Sequence, residues 1–149
     1  VCGIAGIVGA TPDRVVIDRM VDRLHHRGPD GRGVWISEAA HLGHSRLAIL
    51  DLTPAGDQPM THGHLTLTYN GEIYNYRELR RALRGEFTSD CDTEVVLRQF
   101  AEDGERCLAK LRGMFAFAVW DDRRRRLFAA RDRLGIKPLY YRELDGGLA

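Results

Sequence analysis

Four places in the chain carry residues that can do chemistry together. Cys2 stands one residue from the start, followed by Gly3 and the short apolar run Ile4-Ala5. A cysteine that becomes the first residue carries two reactive groups, a thiol and a free α-amine. That amine has an ordinary pKa of about 7.7–8.0, so a good fraction is unprotonated near neutrality. It can then act as general base for its own thiol. Val1 is the obstacle, because with residue 1 retained the Cys2 nitrogen is an amide without useful basicity. The other reading of Cys2 is a small buried hydrophobe at the start of a strand.

Arg46 precedes the run Leu47-Ala48-Ile49-Leu50, and its guanidinium can grip a carboxylate with two hydrogen bonds or simply form a surface ion pair. Asn70-Gly71-Glu72 offers a side-chain amide, an unhindered backbone N–H and a carboxylate in consecutive positions. The first two can form an oxyanion hole, and the same dipeptide is also a hairpin turn signal. Asp92, within Ser89-Asp90-Cys91-Asp92-Thr93-Glu94, can accept from a substrate ammonium, cap a helix, or do both.

The elements that must position these groups follow from patterning. Ile4 to Val8 reads as a strand, ended by Gly9 and the turn Thr11-Pro12-Asp13. From Asp13 the spacing of Val16, Met20, Val21 and Leu24 predicts a helix, which His25-His26-Arg27-Gly28-Pro29-Asp30-Gly31 breaks. Gly33 to Ser37 and Ala40 to Leu50 read as strands, Asp51 to Met60 as a loop, and Leu65 to Tyr69 as a strand ending in the Asn70-Gly71 turn. Asn75 is expected to cap a helix with inner face Leu79, Ala82 and Leu83. Asp92 or Thr93 is expected to cap another running through Val95, Val96, Leu97 and Phe100. A short helix is expected from Arg106 to Leu111, then a hairpin of Met114–Trp120 and Leu127–Ala130 with the charged segment Asp121–Arg126 at its turn. Tyr140 and Tyr141 begin or end one more strand. Strands outnumber helices and the helices fall in groups, which gives an α+β fold of antiparallel sheet with helices on its outside faces.

Composition narrows the function classes. The 149 residues suit one domain, and the net charge of +1 gives no reason to expect nucleic acid or an anionic membrane as partner. No apolar run approaches the ~20 residues of a membrane span, and the start has no signal-peptide pattern, so a cytoplasmic location is expected. Cys2, Cys91 and Cys107 are an odd set without CxxC spacing, which argues against a disulfide framework and a cysteine zinc site. His25-His26, His41 with His44, and His62 with His64 lack the partners of a zinc site, so no metal is expected. Arg123 to Arg126 reads as a solvated turn, and Trp35 and Trp120 as core. The end at Gly146-Gly147-Leu148-Ala149, straight after a strand-like run, suggests a truncated chain.

Several stretches, taken in order, resemble a known family. They are Cys2-Gly3-Ile4-Ala5-Gly6, His26-Arg27-Gly28-Pro29-Asp30-Gly31, Gly43-His44 with Arg46-Leu47-Ala48-Ile49, and Gly56-Asp57-Gln58-Pro59-Met60. Tyr69-Asn70-Gly71-Glu72-Ile73-Tyr74-Asn75-Tyr76, Asp92-Thr93-Glu94-Val95, Gly113-Met114-Phe115-Ala116-Phe117-Ala118 and Ala130-Arg131-Asp132-Arg133-Leu134-Gly135-Ile136-Lys137-Pro138-Leu139-Tyr140-Tyr141 follow. Over nearly the whole chain this set is similar to the class II glutamine amidotransferase domain of glutamine-hydrolysing asparagine synthetases. The His26–Gly31 stretch is what looks like that branch, other branches having a different residue at the place of Pro29.

The resemblance implies an N-terminal-nucleophile hydrolase fold, a four-layer αββα sandwich of two antiparallel sheets between helix layers. It implies that Cys2 attacks the side-chain amide of L-glutamine and that Asn70 and Gly71 stabilise the oxyanion. Arg46 would hold the α-carboxylate, Glu72 and Asp92 the α-amino group, and the backbone of Leu47 to Leu50, with Ile49, would line the pocket. The expected partner is a synthetase domain, which this chain lacks and to which ATP and magnesium would belong; a homodimer is also allowed. No phosphate loop of the Gly-x-x-x-x-Gly-Lys-Ser/Thr type occurs here. The family begins Met-Cys, so a GUG start codon read literally accounts for Val1. If Val1 is retained, the alternative is a catalytically silent docking module. An amidase for some other amide is a third reading, disfavoured because Arg46, Glu72 and Asp92 together fit a free amino acid.

Overall fold

The computed structural model describes residues 1–9 and 12–149, so Thr11 of the expected turn lies outside the described residues. Strand β1 (Gly3–Gly9) leads to helix α1 (Arg14–Arg23), whose N-terminus Asp13 caps by accepting from the Val15 N–H at 2.8 Å. The stripe of α1 centres on Ile17 and Val21, one turn apart, with Met20 and Leu24 beside them. Val16, part of the helical spacing in the sequence, falls outside that stripe and is exposed. The strands β2 (Gly31–Ile36) and β3 (Ala40–Arg46) follow, then β4 (Met60–His62) and β5 (Leu65–Ile73). Helices α2 (Tyr76–Ala82) and α3 (Asp92–Asp103) come next, then β6 (Gly113–Asp121), β7 (Arg126–Arg131) and the short β8 (Glu143–Leu144) and β9 (Gly147–Leu148).

Two antiparallel sheets result, ordered β2-β3-β1-β9-β8 and β4-β5-β6-β7. Strand alternation gives each sheet two apolar faces, and each face has a different cover. Ala5 and Ile7 of β1 pack under Ile17 and Val21 of α1. Leu67, Phe115 and Phe117 pack under Leu79 of α2 and Val95, Val96 and Leu97 of α3. Between the sheets lie Ala40, Leu42 and Trp120, with Trp35 partly buried against them. The sheets are also joined by polar contacts from β5 to β3: Thr68 Oγ1 donates to the Gly43 carbonyl at 2.9 Å, and His44 Nε2 donates to the Tyr69 carbonyl at 3.2 Å. This is the αββα sandwich expected of an N-terminal-nucleophile hydrolase.

Several expected elements are corrected. Strand β3 stops at Arg46 rather than Leu50, because the backbone beyond it bonds to side chains instead of a strand: Ala48 N–H donates to Asp30 at 2.9 Å. Asn70-Gly71 is no turn but part of β5, since β6 pairs along its whole length, Asn70 opposite Ala116 and Gly71 opposite Phe115. Asn75 takes the N-cap position of α2 as expected, but without a capping bond from its side chain, which instead bridges the Lys110 carbonyl and the Arg112 N–H, both at 3.0 Å. Ala82 is exposed, leaving Leu79 and Leu83 as the inner face. Neither Asp92 nor Thr93 caps α3; Asp92 is its first residue and reaches back to β5. The short helix expected from Arg106 to Leu111 is present as a 3-10 helix over Gly104–Ala109. Tyr140 and Tyr141 belong to no strand and are 89% and 74% exposed.

Gly71 is needed at its position in β5. A Cβ there would lie 2.4 Å from the Met114 carbonyl oxygen and 2.8 Å from Phe115 Cα, so β5 and β6 approach too closely for any side chain. Gly71→Ala is expected to cost about 2 kcal/mol or more by forcing the strands apart, seen as a lower urea midpoint.

His44 is fully buried, with no partner for Nδ1, and burial pushes its pKa down to about 4 against the opposing pull of the Tyr69 carbonyl. The folded protein therefore binds this proton less readily than the unfolded chain, whose histidine titrates near 6.5. The contribution is complete above about pH 6.5 and is lost as pH falls toward 4. Between pH 7 and 5 His44 is expected to remove about 2 kcal/mol of stability. Urea unfolding across that interval should be correspondingly flatter in His44→Gln, which keeps a donor for the Tyr69 carbonyl.

Candidate functional site

Cys2 is fixed by three neighbours. Arg27 Nε donates to its carbonyl at 3.1 Å. Gly3 lets the strand start against the end of α1, where a Cβ would meet Leu24 Cβ at 2.7 Å. The thiol itself lies against one peptide unit of the loop after β3: the Leu47 N–H points to Sγ at 3.4 Å, and Sγ lies 3.6 Å from the Leu47 carbonyl oxygen. The stretch His26–Gly31 braces both sides of this contact. Gly28 packs on β3 where a Cβ would be 2.4 Å from the Ser45 carbonyl oxygen, Asp30 N–H donates to the Arg46 carbonyl at 2.9 Å, and the Asp30 carboxylate holds Ala48 N–H. Sequence patterning marked these residues as a helix break and a family signature; their mechanical role was not visible in it.

Arg46 leaves the end of β3 with its guanidinium mostly buried. Nη1 donates to the Thr53 carbonyl at 3.0 Å and to Asp57 Oδ1 at 2.7 Å, and Nη2 donates to the Asp51 carbonyl. A guanidinium has five N–H donors, so these contacts leave two, one on Nη2 and the one on Nε. Gly56 lies flat against the group, since a Cβ there would be 2.5 Å from Nη2. Both readings of Arg46 therefore meet in one geometry: it is ion-paired, and it retains donors for a ligand.

The edge of β5 supplies the opposite wall. Phe115 of β6 uses both backbone groups on Asp132, its N–H donating to the carboxylate at 3.2 Å and its carbonyl accepting from Asp132 N–H at 2.7 Å. Phe115 thus turns away from β5, and its antiparallel partner Gly71 must turn its own N–H and carbonyl away from β6. Tyr69 and Ile73, two residues to either side, point the same way. Tyr69 N–H donates to Gln58 Oε1 at 2.7 Å and Ile73 N–H to Asp92 Oδ2 at 2.9 Å. Strand β4 reaches only as far as Leu67, so Gly71 N–H faces an edge without a strand and, among the described residues, without a side-chain acceptor. The Asn70 side-chain amide is likewise without a hydrogen-bond partner among the described residues, although Asn70 is 5% exposed.

Asp92 Oδ2 also accepts from the Tyr69 hydroxyl at 2.6 Å. Burial raises the Asp92 pKa, with the Tyr69 and Ile73 bonds opposing and Glu72 reinforcing the shift. The Tyr69 phenol is driven well above its ordinary value by burial and by Asp92. Glu72 is exposed and has no ion pair among the described residues.

These groups meet in one cavity of about 130 Å³. Cys2, Arg46, Leu47, Ile49, Leu50, Asn70, Gly71, Glu72 and Asp92 all line it, so every site residue expected from the sequence is brought together. It is smaller than the ~300–1,000 Å³ of a drug-sized pocket and suits a ligand the size of an amino acid. Its lining adds residues the sequence reading missed, chiefly Gln58, Tyr69 and Lys137. Gln58 ties Tyr69 N–H to Thr93 Oγ1, the latter at 3.3 Å. Its signal was a buried amide between two elements, which no local pattern announces. Cys91 and Cys107 are buried free thiols, and burial pushes Cys107 up to about 12, leaving Cys2 as the accessible thiol. Among the described residues no three His, Cys, Asp or Glu side chains are grouped to hold a metal ion, and no helix is long and apolar enough to cross a membrane.

A thiol near the chain start, two unpartnered donors and cationic and anionic side chains thus share one cavity, and the comparisons with known proteins give the family. The family model described as a glutamine amidotransferase domain matches residues 1–149. Over 151 residues the chain is 45% identical to glutamine-hydrolyzing asparagine synthetase 3 of Bacillus subtilis, covering 94% of this chain and 24% of that relative. It is 42% identical over 146 residues to glutamine-hydrolyzing asparagine synthetase 3 of Arabidopsis thaliana, covering 93% and 25%. It is 44% identical over 131 residues to amidase chry2 of Gibberella zeae, covering 84% and 20%. The chain thus spans about a quarter or less of the length of these relatives. With the fold, the convergent cavity and a family match from first residue to last in agreement, the chain belongs to the glutamine amidotransferase domain family.

Proposed function

We propose that the Cys2 cavity hydrolyses L-glutamine to glutamate and ammonia. The observation that supports this best is the pair of unpartnered donors, Gly71 N–H and the Asn70 amide, on the wall of the cavity that holds the thiol. In this reading the two remaining Arg46 donors take the substrate α-carboxylate, and Glu72 and Asp92 take the α-ammonium. The side-chain amide is thereby directed to Cys2.

With Cys2 as first residue, its α-amine takes the thiol proton and Sγ bonds to the amide carbon. The carbonyl π pair moves onto oxygen, where Asn70 and Gly71 donate to it. On collapse the C–N bond breaks, the amine returns its proton to the leaving nitrogen, and ammonia departs from a thioester. Water, deprotonated by the same amine, attacks the thioester; glutamate leaves and the thiol is restored. These steps draw only on a thiol, an amine and donors of the protein itself, so no cofactor is assigned to this domain.

The ammonia is proposed to feed the synthesis of asparagine or a related amide, as the names of the asparagine synthetase relatives suggest. The ATP- and magnesium-dependent synthetase domain and the cytoplasmic location expected from the sequence belong to the same proposal. Val1 is half exposed at the rim of the cavity and, while attached, converts the Cys2 amine into an amide. A protein that keeps it is expected to be silent.

Intact mass and N-terminal sequencing, followed by a glutamate-release assay on the same sample, test the reading. Protein beginning at Cys2 is expected to release glutamate, and Cys2→Ala to abolish release. Folded protein beginning at Cys2 that releases none overturns the assignment. Asn70→Ala is expected to lower kcat by about 10²–10³-fold with little change in KM. Arg46→Lys, which loses the fork geometry, is expected to raise KM instead.

A further inference from the structure

The chain has 20 arginines but two lysines, Lys110 and Lys137. Lys110 is half exposed and pairs with Asp103 at 2.7 Å. Lys137 is 9% exposed, lines the Cys2 cavity, and among the described residues its ammonium has neither an ion pair nor a hydrogen bond. The residue is largely buried while its ammonium keeps access to solvent at the cavity, so the charge is held there without a protein partner among the described residues.

The backbone around Lys137 is instead clamped. The Asp132 carboxylate accepts from the N–H groups of Leu134 at 3.2 Å, Ile136 at 2.9 Å and Lys137 at 2.9 Å, and Gly135, with φ of 67°, closes the turn onto the Asp132 carbonyl at 3.0 Å. The same carboxylate holds Phe115 N–H, and Phe115 stands opposite Gly71. Burial pushes Asp132 up, but these backbone donors outweigh it and keep its pKa below the ordinary range, so the clamp is charged near neutrality. Lys137 is therefore set from the side of the cavity that carries Gly71 and Glu72, on a turn bolted to the strand that turns Gly71 N–H outward.

We infer that Lys137 is a further residue of the reaction centre, whose ammonium stabilises the negative charge that forms on the substrate amide oxygen beside Asn70 and Gly71. The inference rests on the glutamine-hydrolysis reading. When Sγ bonds to the amide carbon, a full charge builds on that oxygen, and Asn70 and Gly71 offer it only neutral donors. A cation at the cavity wall adds a charge to those two donors. Arg46, tied to Asp57, Thr53 and Asp51, is left to the carboxylate end.

Two measurements on wild type, Lys137→Met and Lys137→Arg test this. The first is the rate of Cys2 alkylation by iodoacetate relative to neutral iodoacetamide, located by mass spectrometry, which needs no glutamine hydrolysis. Lys137→Met is expected to lower that ratio by about 3–10-fold, as loss of a nearby positive charge requires, and Lys137→Arg to keep it. The second is steady-state glutamate release, where Lys137→Met is expected to lower kcat by about 10–100-fold with KM within about twofold, and Lys137→Arg to restore part of it. The urea midpoint of Lys137→Met should be unchanged or higher, because no ion pair or hydrogen bond of the ammonium is lost among the described residues.

An alkylation ratio indifferent to residue 137 overturns the inference, since the ammonium then does not face the thiol. A lower ratio with a rise in KM alone overturns the oxyanion role in favour of carboxylate binding. A lower ratio in a Cys2-first protein that releases no glutamate overturns the glutamine reading, leaving only the placement of the charge.

Discussion

Beyond Leu67, β5 has a strand on one side and none on the other. Every second N–H along that free edge must find an acceptor or remain bare in a largely buried place. Gln58 takes that of Tyr69 and Asp92 takes that of Ile73, so the edge is closed by two side chains from separate elements. The position between them, Gly71, is left open toward the thiol. The remaining architecture serves this arrangement. The loop after β3 delivers Gln58, α3 starts where Asp92 can reach the edge, and β6 is turned by Asp132 so that Gly71 faces outward.

Acidic side chains bonded to backbone N–H groups recur around the cavity. Asp30 holds Ala48, Asp51 holds Asp90 and Thr53, Asp92 holds Ile73, and Asp132 gathers four N–H groups. Apart from Ile73 and Phe115, which lie in paired strands, these N–H groups belong to segments without regular pairing, and a carboxylate is the strongest acceptor a side chain can offer to an N–H left over. Irregular backbone is thereby made rigid without being made into helix or sheet. That allows Leu47 to present its peptide to Cys2 and allows Arg46 to be framed by carbonyls from its own loop.

The sequence carried the site residues more clearly than the elements bearing them. Cys2, Arg46, Asn70, Gly71, Glu72 and Asp92 were legible because their types and order repeat a family pattern, and they do line one cavity. Local rules misplaced their settings. Asn-Gly has the chemistry of a turn, yet nine paired positions with β6 override two residues of preference. The apolar run Leu47 to Leu50 looks like strand, but no strand is there to pair with it, and side chains supply its partners. Asp92 has the right type and place for a cap, and a buried N–H on β5 competes for it. Gln58, Arg27 and Lys137 act across elements far apart in sequence, which periodicity cannot report.

A cavity shaped for stability alone would leave none of these groups unpaired. The Asn70 amide, Gly71 N–H and Lys137 ammonium lack partners among the described residues, beside the free thiol of Cys2 and an exposed Glu72. Each unpaired donor costs stability relative to a satisfied one, and the fold could have closed any of them with a single side chain, as Gln58 closes Tyr69. The two Arg46 donors not used by Asp57, Thr53 and Asp51 belong to the same set. Sorted by sign, the open groups are donors at the β3 end, neutral donors and a cation at the β5 end, and acceptors on Glu72 and Asp92. That is the complement of a molecule with a carboxylate, an ammonium and one more polar carbonyl, so the cost to the fold is recovered when such a ligand binds.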